Sequence, residues 1–234
     1  MENVGTKTAS PLGGVRLLHK ANVVSVIATV LAIVSGITVV ITTGVGLGMA
    51  MESGTASGGM LAVGVISALV TVSSVIFLLV AGVMEIVALF KLSPINAGYK
   101  SALIWVFVSL VASLIVSLPT LPAAGDPSPW YQTFSKIWEI APPVFEMLKV
   151  YFVIGATAAI LTAKGDVAIT AKGVAVRKTY IICTAVIVVA DLAALVPMLS
   201  GLVDIATIVT SVVQLVALFK YIGFLGGAAK ELEA

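Results

Sequence analysis

Four ionisable residues lie inside long apolar stretches of the chain, where a charged group is most costly. They are Glu146, Lys149, Asp191 and Asp204. A charge at the centre of a bilayer costs about 3 kcal/mol on insertion scales, so it needs a partner, water or a function. One interpretation is an outward-facing hydrated cavity that binds a solute, an ion or protons. The other is a structural salt bridge from Lys149 to Asp191 or Asp204.

Their depth follows from the basic residue at the inner end of each helix. For Asp191, Lys149 and Asp204 the reference residues are Lys178, Lys164 and Lys220, respectively. With the rise of an α-helix, the three separations correspond to about 20 to 24 Å. The sequence therefore predicts one polar cluster at a single depth, which Glu146 joins from one turn further out.

A second polar level is predicted closer to the inner boundary. The pentapeptide "VALFK" occurs twice, and Glu85 and Gln214 each stand six residues before its lysine. That distance is about 9 Å along a helix. We expect Glu85 and Gln214 to form an inner polar pair, although Glu85 could instead reach the interface and pair with Lys91.

Two aspartates in apolar stretches also suggest an intramembrane aspartyl protease, in which the two carboxyl groups share a proton. The stretch "SGLVDIAT" only loosely resembles the Gly-x-Gly-Asp pattern of that family, because Val203 replaces the second glycine. A nearby Lys149 would also hold both aspartates charged. With one histidine and one cysteine, neither a paired-imidazole site nor a thiolate pair can form within the chain. We predict no catalytic residues, no metal site and no cofactor.

The composition places the chain in a lipid bilayer. Hydrophobic residues make up 60% of the sequence and charged residues 10%, and the mean hydropathy is +1.18. Soluble domains are about half apolar and a quarter charged. The net charge of +2, without a basic stripe, excludes a nucleic-acid footprint.

Six apolar stretches are long enough to cross the membrane as helices. They cover residues 22–43, 60–90, 102–119, 142–163, 179–198 and 202–222. The predicted fold is an all-α, polytopic, six-helix membrane protein with a single domain, 1–234. We expect three helical hairpins at about 20–91, 100–164 and 178–222, with short termini at 1–19 and 223–234.

The basic residues predict the orientation. If both termini are inside, 11 of the 13 lysines and arginines fall on the cytoplasmic side. Positively charged loops are retained on that side. We therefore expect a protein of the cell membrane, plasma or inner, with both termini in the cytoplasm.

The outer loop before the fourth span contains aromatic residues at four-residue spacing. Trp130, Phe134 and Trp138 would lie on one face of a short helix at headgroup depth. We predict that they are interfacial anchors. A ligand-binding lid is the alternative.

The odd-numbered spans begin with similar sequences, "HKANVV", "YKSALI" and "RKTYII". A threefold duplication of the hairpin would explain them. Selection for lysine at each cytoplasmic boundary explains them equally, whatever the ancestry, and we favour it.

These features predict a non-enzymatic multi-pass membrane protein that acts through its helix surfaces. An assembly factor, an accessory subunit or a scaffold fits best, with the lipid bilayer and other membrane proteins or a second copy as partners. The alternative is a small ion- or proton-coupled transporter, or a solute-binding membrane subunit, that uses the outward-facing polar cluster.

Overall fold

The computed structural model describes residues 10–53, 58–117, 138, 140–194 and 203–234. The helices in this part are α1 Pro11–Ser53, α2 Gly58–Leu92, α3 Ala97–Ser117, α4 Ala141–Ala163, α5 Val167–Ala194 and α6 Val203–Glu233. No strand is present among the described residues. Five helices contain a described stretch long and apolar enough to cross a membrane, and the corresponding stretch of α3, Ala97–Ala112, is shorter. The prediction of an all-α polytopic membrane protein is confirmed.

Side-chain caps fix the start of two helices. The Asn96 carboxamide oxygen accepts a hydrogen bond from the Gly98 N–H at 2.8 Å, just inside α3. The Asp166 carboxylate accepts one from the Ile169 N–H at 3.0 Å, at the start of α5. Asparagine and aspartate satisfy the first N–H groups of a helix, which have no partner within it. The sequences "INAG" and "GDVAI" therefore determine where these helices begin.

The turn between α4 and α5 is much shorter than predicted. Gly165 adopts a φ of +89° and its N–H donates to the Thr162 carbonyl at 2.9 Å, while the Asp166 N–H donates to the Leu161 carbonyl at 3.1 Å. This pair of bonds is the Schellman motif, which requires a left-handed residue and favours glycine. Helix α5 then begins at Val167. The helix therefore starts eleven residues before Lys178, and Lys178 as the inner membrane boundary of this span remains a prediction.

The described parts of the two predicted termini, 10–19 and 223–234, are largely helical. Helix α1 begins at Pro11, a residue favoured in the first helical turn, and α6 continues to Glu233. The Arg16 guanidinium forms an ion pair with the Glu233 carboxylate. The Lys164 ammonium donates to the Leu232 carbonyl at 3.3 Å. The predicted boundaries at 19 and 223 therefore fall inside helices.

The chain divides into two compact units. The core unit consists of the chain up to His19 together with Ile86–Ala234, and the hairpin unit is Lys20–Glu85. In the core unit, α3 packs on α4, α4 on α5, and α5 on α6. Contacts within the predicted second and third hairpins are therefore present, but α4 and α5 also pack together. The threefold repeat and the single-domain description remain predictions.

Large side chains fill the core unit near the two short turns. Tyr99, Tyr221 and Phe224 are fully buried. Gly14 packs so closely on Leu92 that an added Cβ atom would lie 2.5 Å from its Cγ. A buried hydrogen bond of 2.8 Å joins the Tyr99 and Thr157 hydroxyl groups. Burial of this much apolar surface is the main stabilising contribution in this unit.

The hairpin unit is held by small residues and hydroxyl groups. The Ser35 Oγ atom lies 3.0 Å from Ser67 Oγ and 2.9 Å from Thr71 Oγ1, between α1 and α2. Ser74 is buried one turn further along α2. Lipid tails are as apolar as leucine, so membrane helices associate through close approach at small residues and hydrogen bonds between them.

Candidate functional site

The contacts between α5 and α6 define a level across the core unit. The Lys220 ammonium donates to the Thr179 hydroxyl at 3.4 Å, and the next residue on each helix forms the ring pair Tyr180–Tyr221, with centroids 6.2 Å apart. We call this plane the lysine level. On α4 it passes close to Tyr151, because the guanidinium carbon of Arg177 lies 4.6 Å from the centroid of that ring.

This level changes the depth of two predicted site residues. The depth of Lys149 was taken from Lys164, but the part of α4 from Tyr151 to Lys164 extends about 20 Å beyond the lysine level. Lys149 lies only two residues from Tyr151, and Glu146 five, or about 3 and 8 Å outward of the level. Counted from the lysine level, the pair lies closer to the inner end of α5 and α6 than the count from Lys164 gives, and its depth in the membrane remains a prediction.

Glu146 and Lys149 form a direct ion pair. The Lys149 Nζ atom lies 2.6 Å from Glu146 Oε2, three residues apart on one face of α4. The Lys149 side chain is 8% exposed and that of Glu146 is 34% exposed. A buried ammonium needs a neutralising partner because removal from water is costly. Glu146 supplies that charge and keeps part of its carboxyl group accessible.

The accessible side of Glu146 faces a small cavity between α4, α5 and α6. Its lining residues are Pro143, Glu146, Tyr180, Cys183, Thr184, Ile187, Gln214 and Ala217. The space open to water is about 10 Å³. A single water needs roughly 10 to 15 Å³ on this measure. The cavity therefore has room for about one water, and it brings together Glu146 and Gln214, which the sequence placed at different depths.

Gln214 is exposed although it lies on the core-facing side of α6. Ala217 and Tyr221, three and seven residues later on the same face, are buried. Gln214 itself is exposed, and its amide has no hydrogen-bond partner among the described residues. The core-facing side of α6 is therefore uncovered at Gln214. This opening, lined by Glu146, Thr184 and Gln214, is called the polar groove below.

The other two members of the predicted cluster lie further out. Counted from the turn at Gly165, Asp191 stands further along α5 than Lys149 does along α4, and the difference corresponds to about 15 Å along the helix axes. Asp191 is half-buried on α5. Asp204 belongs to the first turn of α6, and its side chain lies outside the described part. This register separates Asp191 from Lys149 along the helix axes, and the four-residue cluster remains a prediction.

The remaining predicted residues are distributed between the two units. Glu85 belongs to the hairpin unit and Gln214 to the core unit, and their pairing remains a prediction. Trp138 donates its indole N–H to the Ala112 carbonyl of α3 at 3.1 Å. Trp130 and Phe134 lie outside the described residues. The anchoring role of all three aromatic residues is likewise still a prediction.

Tyr180 and Thr184 also line the groove, and neither was predicted from the sequence. Together with Ile187 they recur at intervals of four and three residues, which places them on one face of α5. That spacing could have identified the face of α5 on which they lie. It is inconspicuous in the sequence because almost every neighbouring residue is apolar.

No group of three or more histidine, cysteine, aspartate or glutamate residues that would suit a metal ion occurs in the described part of the chain. The groove instead offers one carboxylate paired with a lysine, two hydroxyl groups and a primary amide. Such groups bind by hydrogen bonding and charge. Comparisons with protein-family models, with curated proteins and with solved structures found no match.

Proposed function

We propose that the chain is a non-enzymatic membrane scaffold, accessory subunit or assembly factor that binds another membrane helix in the polar groove. The observation that carries this proposal is the exposure of Gln214 on the core-facing side of α6. Gln214 precedes Lys220 by six residues, so it lies about 9 Å from the lysine level toward the membrane interior.

An uncovered amide at that depth favours a protein partner over lipid. Lipid tails offer no hydrogen bonds, and an unsatisfied amide in an apolar medium costs several kcal/mol. Glutamine, serine and threonine side chains promote helix association in membranes because they hydrogen-bond across the interface. The Glu146 carboxylate, 34% exposed, and the Thr184 hydroxyl add acceptors for the same partner.

The size of the cavity supports the same proposal. A ligand pocket usually encloses several hundred cubic ångströms. The space beside Glu146 holds about one water, with about 10 Å³ open to it. A helix presenting a polar side chain could cover this opening, whereas an organic solute would not fit within it.

Transport is the second candidate, and the partial exposure of Glu146 favours it. A carboxylate beside a water-sized cavity could bind and release a proton or a small cation. The positive charge of Lys149 would neutralise the Glu146 carboxylate. In that case water would hydrate the Gln214 amide, and no partner helix would contact it.

One experiment distinguishes the two functions. A photoreactive amino acid is placed at position 214 in intact membranes, with position 189 as the control, since Val189 is a 65% exposed apolar residue of α5. A scaffold should give a discrete protein adduct at 214 and none at 189, and Glu146→Gln should weaken that adduct.

The transport hypothesis is tested by thiol labelling at the same position. Gln214→Cys is made in a Cys183→Ala background, because Cys183 lines the same cavity. Rapid modification by a membrane-impermeant reagent, together with no adduct at 214, would contradict the scaffold and support a hydrated path. If the reagent does not modify the thiol at position 214 and a protein adduct forms there, a hydrated path is excluded.

A further inference from the structure

We infer that the outer surface of the α5–α6 pair holds an anionic phospholipid, with its phosphate between Lys178 and Lys220. This inference does not depend on the proposed function, because the surface involved faces away from the polar groove. Three features support it: the position of the two lysines, the absence of a carboxylate partner for either among the described residues, and the apolar rows that lead outward from them.

Neither lysine marks the end of its helix. Helix α5 begins at Val167, well before Lys178, and α6 continues beyond Lys220 to Glu233. These extensions are about 17 and 20 Å long. They carry exposed charged residues, which belong in water: Lys172, Lys230 and Glu231. The lysine level therefore lies where helices leave the hydrocarbon, which is the depth of the lipid phosphates.

The two lysines are neighbours across the helix pair. Lys220 Nζ donates to Thr179 Oγ1 at 3.4 Å, and Lys178 directly precedes that threonine. Both lysines are exposed. Neither has a carboxylate partner within the described part of the chain. Two unneutralised ammonium groups at headgroup depth form a site of positive potential, which attracts anionic lipids.

Two apolar rows extend from the lysines toward the membrane interior. On α5, Ile182 and Val186 follow Lys178 at intervals of four residues; on α6, Val216 and Val212 precede Lys220 at the same interval. Residues four apart share a helix face.

All four of these apolar side chains are exposed, at 54%, 41%, 46% and 55% for Ile182, Val186, Val216 and Val212. A phospholipid has the matching chemistry, because its phosphate would meet the ammonium pair while two acyl chains follow the two rows. Each lysine near an anionic headgroup strengthens binding by about fivefold.

The test is native mass spectrometry of the detergent-solubilised protein with added phosphatidylglycerol. Lys178→Gln with Lys220→Gln should weaken phosphatidylglycerol binding by at least about tenfold. The matched control is Lys172→Gln with Lys230→Gln, which removes one exposed lysine from each of the same helices. We expect less than twofold change for the control, and retention of binding by Lys178→Arg with Lys220→Arg.

Two further arms identify the source of the phosphate and the role of charge. Phosphatidylcholine should bind all variants equally weakly, and inorganic phosphate should not compete with phosphatidylglycerol. The inference is overturned if the glutamine pair binds phosphatidylglycerol like the unaltered protein, if the control pair loses as much, or if inorganic phosphate displaces the lipid. All substituted lysines are exposed, so circular dichroism should show unchanged helicity.

Discussion

The most apolar helix of this protein is one of its least buried, while the helices that build its core are less apolar. An 18-residue window within Val65–Leu92 of α2 has a mean hydropathy of 2.5 and is 17% buried, whereas the corresponding window within Ala141–Ala163, which is α4, has 1.8 and is 39% buried. Most of the α2 window belongs to the hairpin unit. Apolar side chains such as Leu69 and Leu79 are 62% and 65% exposed there.

The difference reflects two solvents. In the hairpin unit, apolar surface has no reason to leave lipid, so α1 and α2 meet through hydroxyl groups and small residues. On the membrane boundary inferred above, the ends of α5 and α6 in the core unit lie in water, and burial of Phe224 and Leu225 there removes apolar surface from it. One chain would then use the hydrophobic effect in one region and close helix packing in the other.

The largest effect is expected from an aromatic residue of the core unit. Phe224→Ala should lower the free energy of unfolding by about 3 to 5 kcal/mol, since it leaves a cavity among fully buried side chains. The matched variant Phe219→Ala, in the same helix but 57% exposed, should cost about 0.5 kcal/mol or less. Thermal unfolding in detergent compares the two. Equal losses would show that the end of α6 contributes no core.

A smaller effect is expected from glycines that differ only in their surroundings. At Gly173 an added Cβ would lie 2.8 Å from Cε2 of the Phe224 ring, so Gly173→Ala should destabilise by about 1 to 3 kcal/mol. At Gly155, in the interior of α4, nothing lies within 4 Å, and Gly155→Ala should stabilise by up to about 1 kcal/mol. Opposite signs in the same unfolding assay support the packing described. A gain at position 173 would contradict it.

The smallest effect belongs to the hairpin unit. Ser35→Ala removes the hydroxyl group that bridges Ser67 and Thr71, and hydrogen bonds between membrane helices average about 0.6 kcal/mol. Thr29→Val is the control, because its hydroxyl bonds only to the Ser25 carbonyl of its own helix. The same unfolding assay measures both variants. A loss at Ser35 as large as that at Phe224 would remove the distinction between the two regions.

Much of the helix arrangement could be predicted from the sequence. Apolar stretches of sufficient length, interrupted by "SPINAG", indicated the helices and the break before α3. The extensions of α5 and α6 could not be predicted by the same argument. Hydropathy does not show whether lipid or protein surrounds Phe224, and a lysine at position 178 does not show that its helix begins at Val167.

The same ambiguity affected the site. The count from Lys164 used only the length of α4, whereas the contact of Arg177 with Tyr151 gives the register of α4 against α5, which the sequence does not contain. The pairing of Glu146 with Lys149 at an interval of three residues was available from the sequence, because such residues are neighbours on a helix. The meeting of Glu146 with Gln214 required the register of three helices, which no local pattern contains.

The ion pair between Arg16 and Glu233 has a consequence for biogenesis. During synthesis, Val15 and Leu18 leave the ribosome early, but they belong to the same buried cluster as residues of α6, which is made much later. At about 5 to 20 residues per second, the interval between the two is on the order of tens of seconds. The start of α1 can meet Leu92 of α2 during this time, but its contacts with α6 must wait. Chaperones and proteases would therefore act on this segment mainly before α6 is complete.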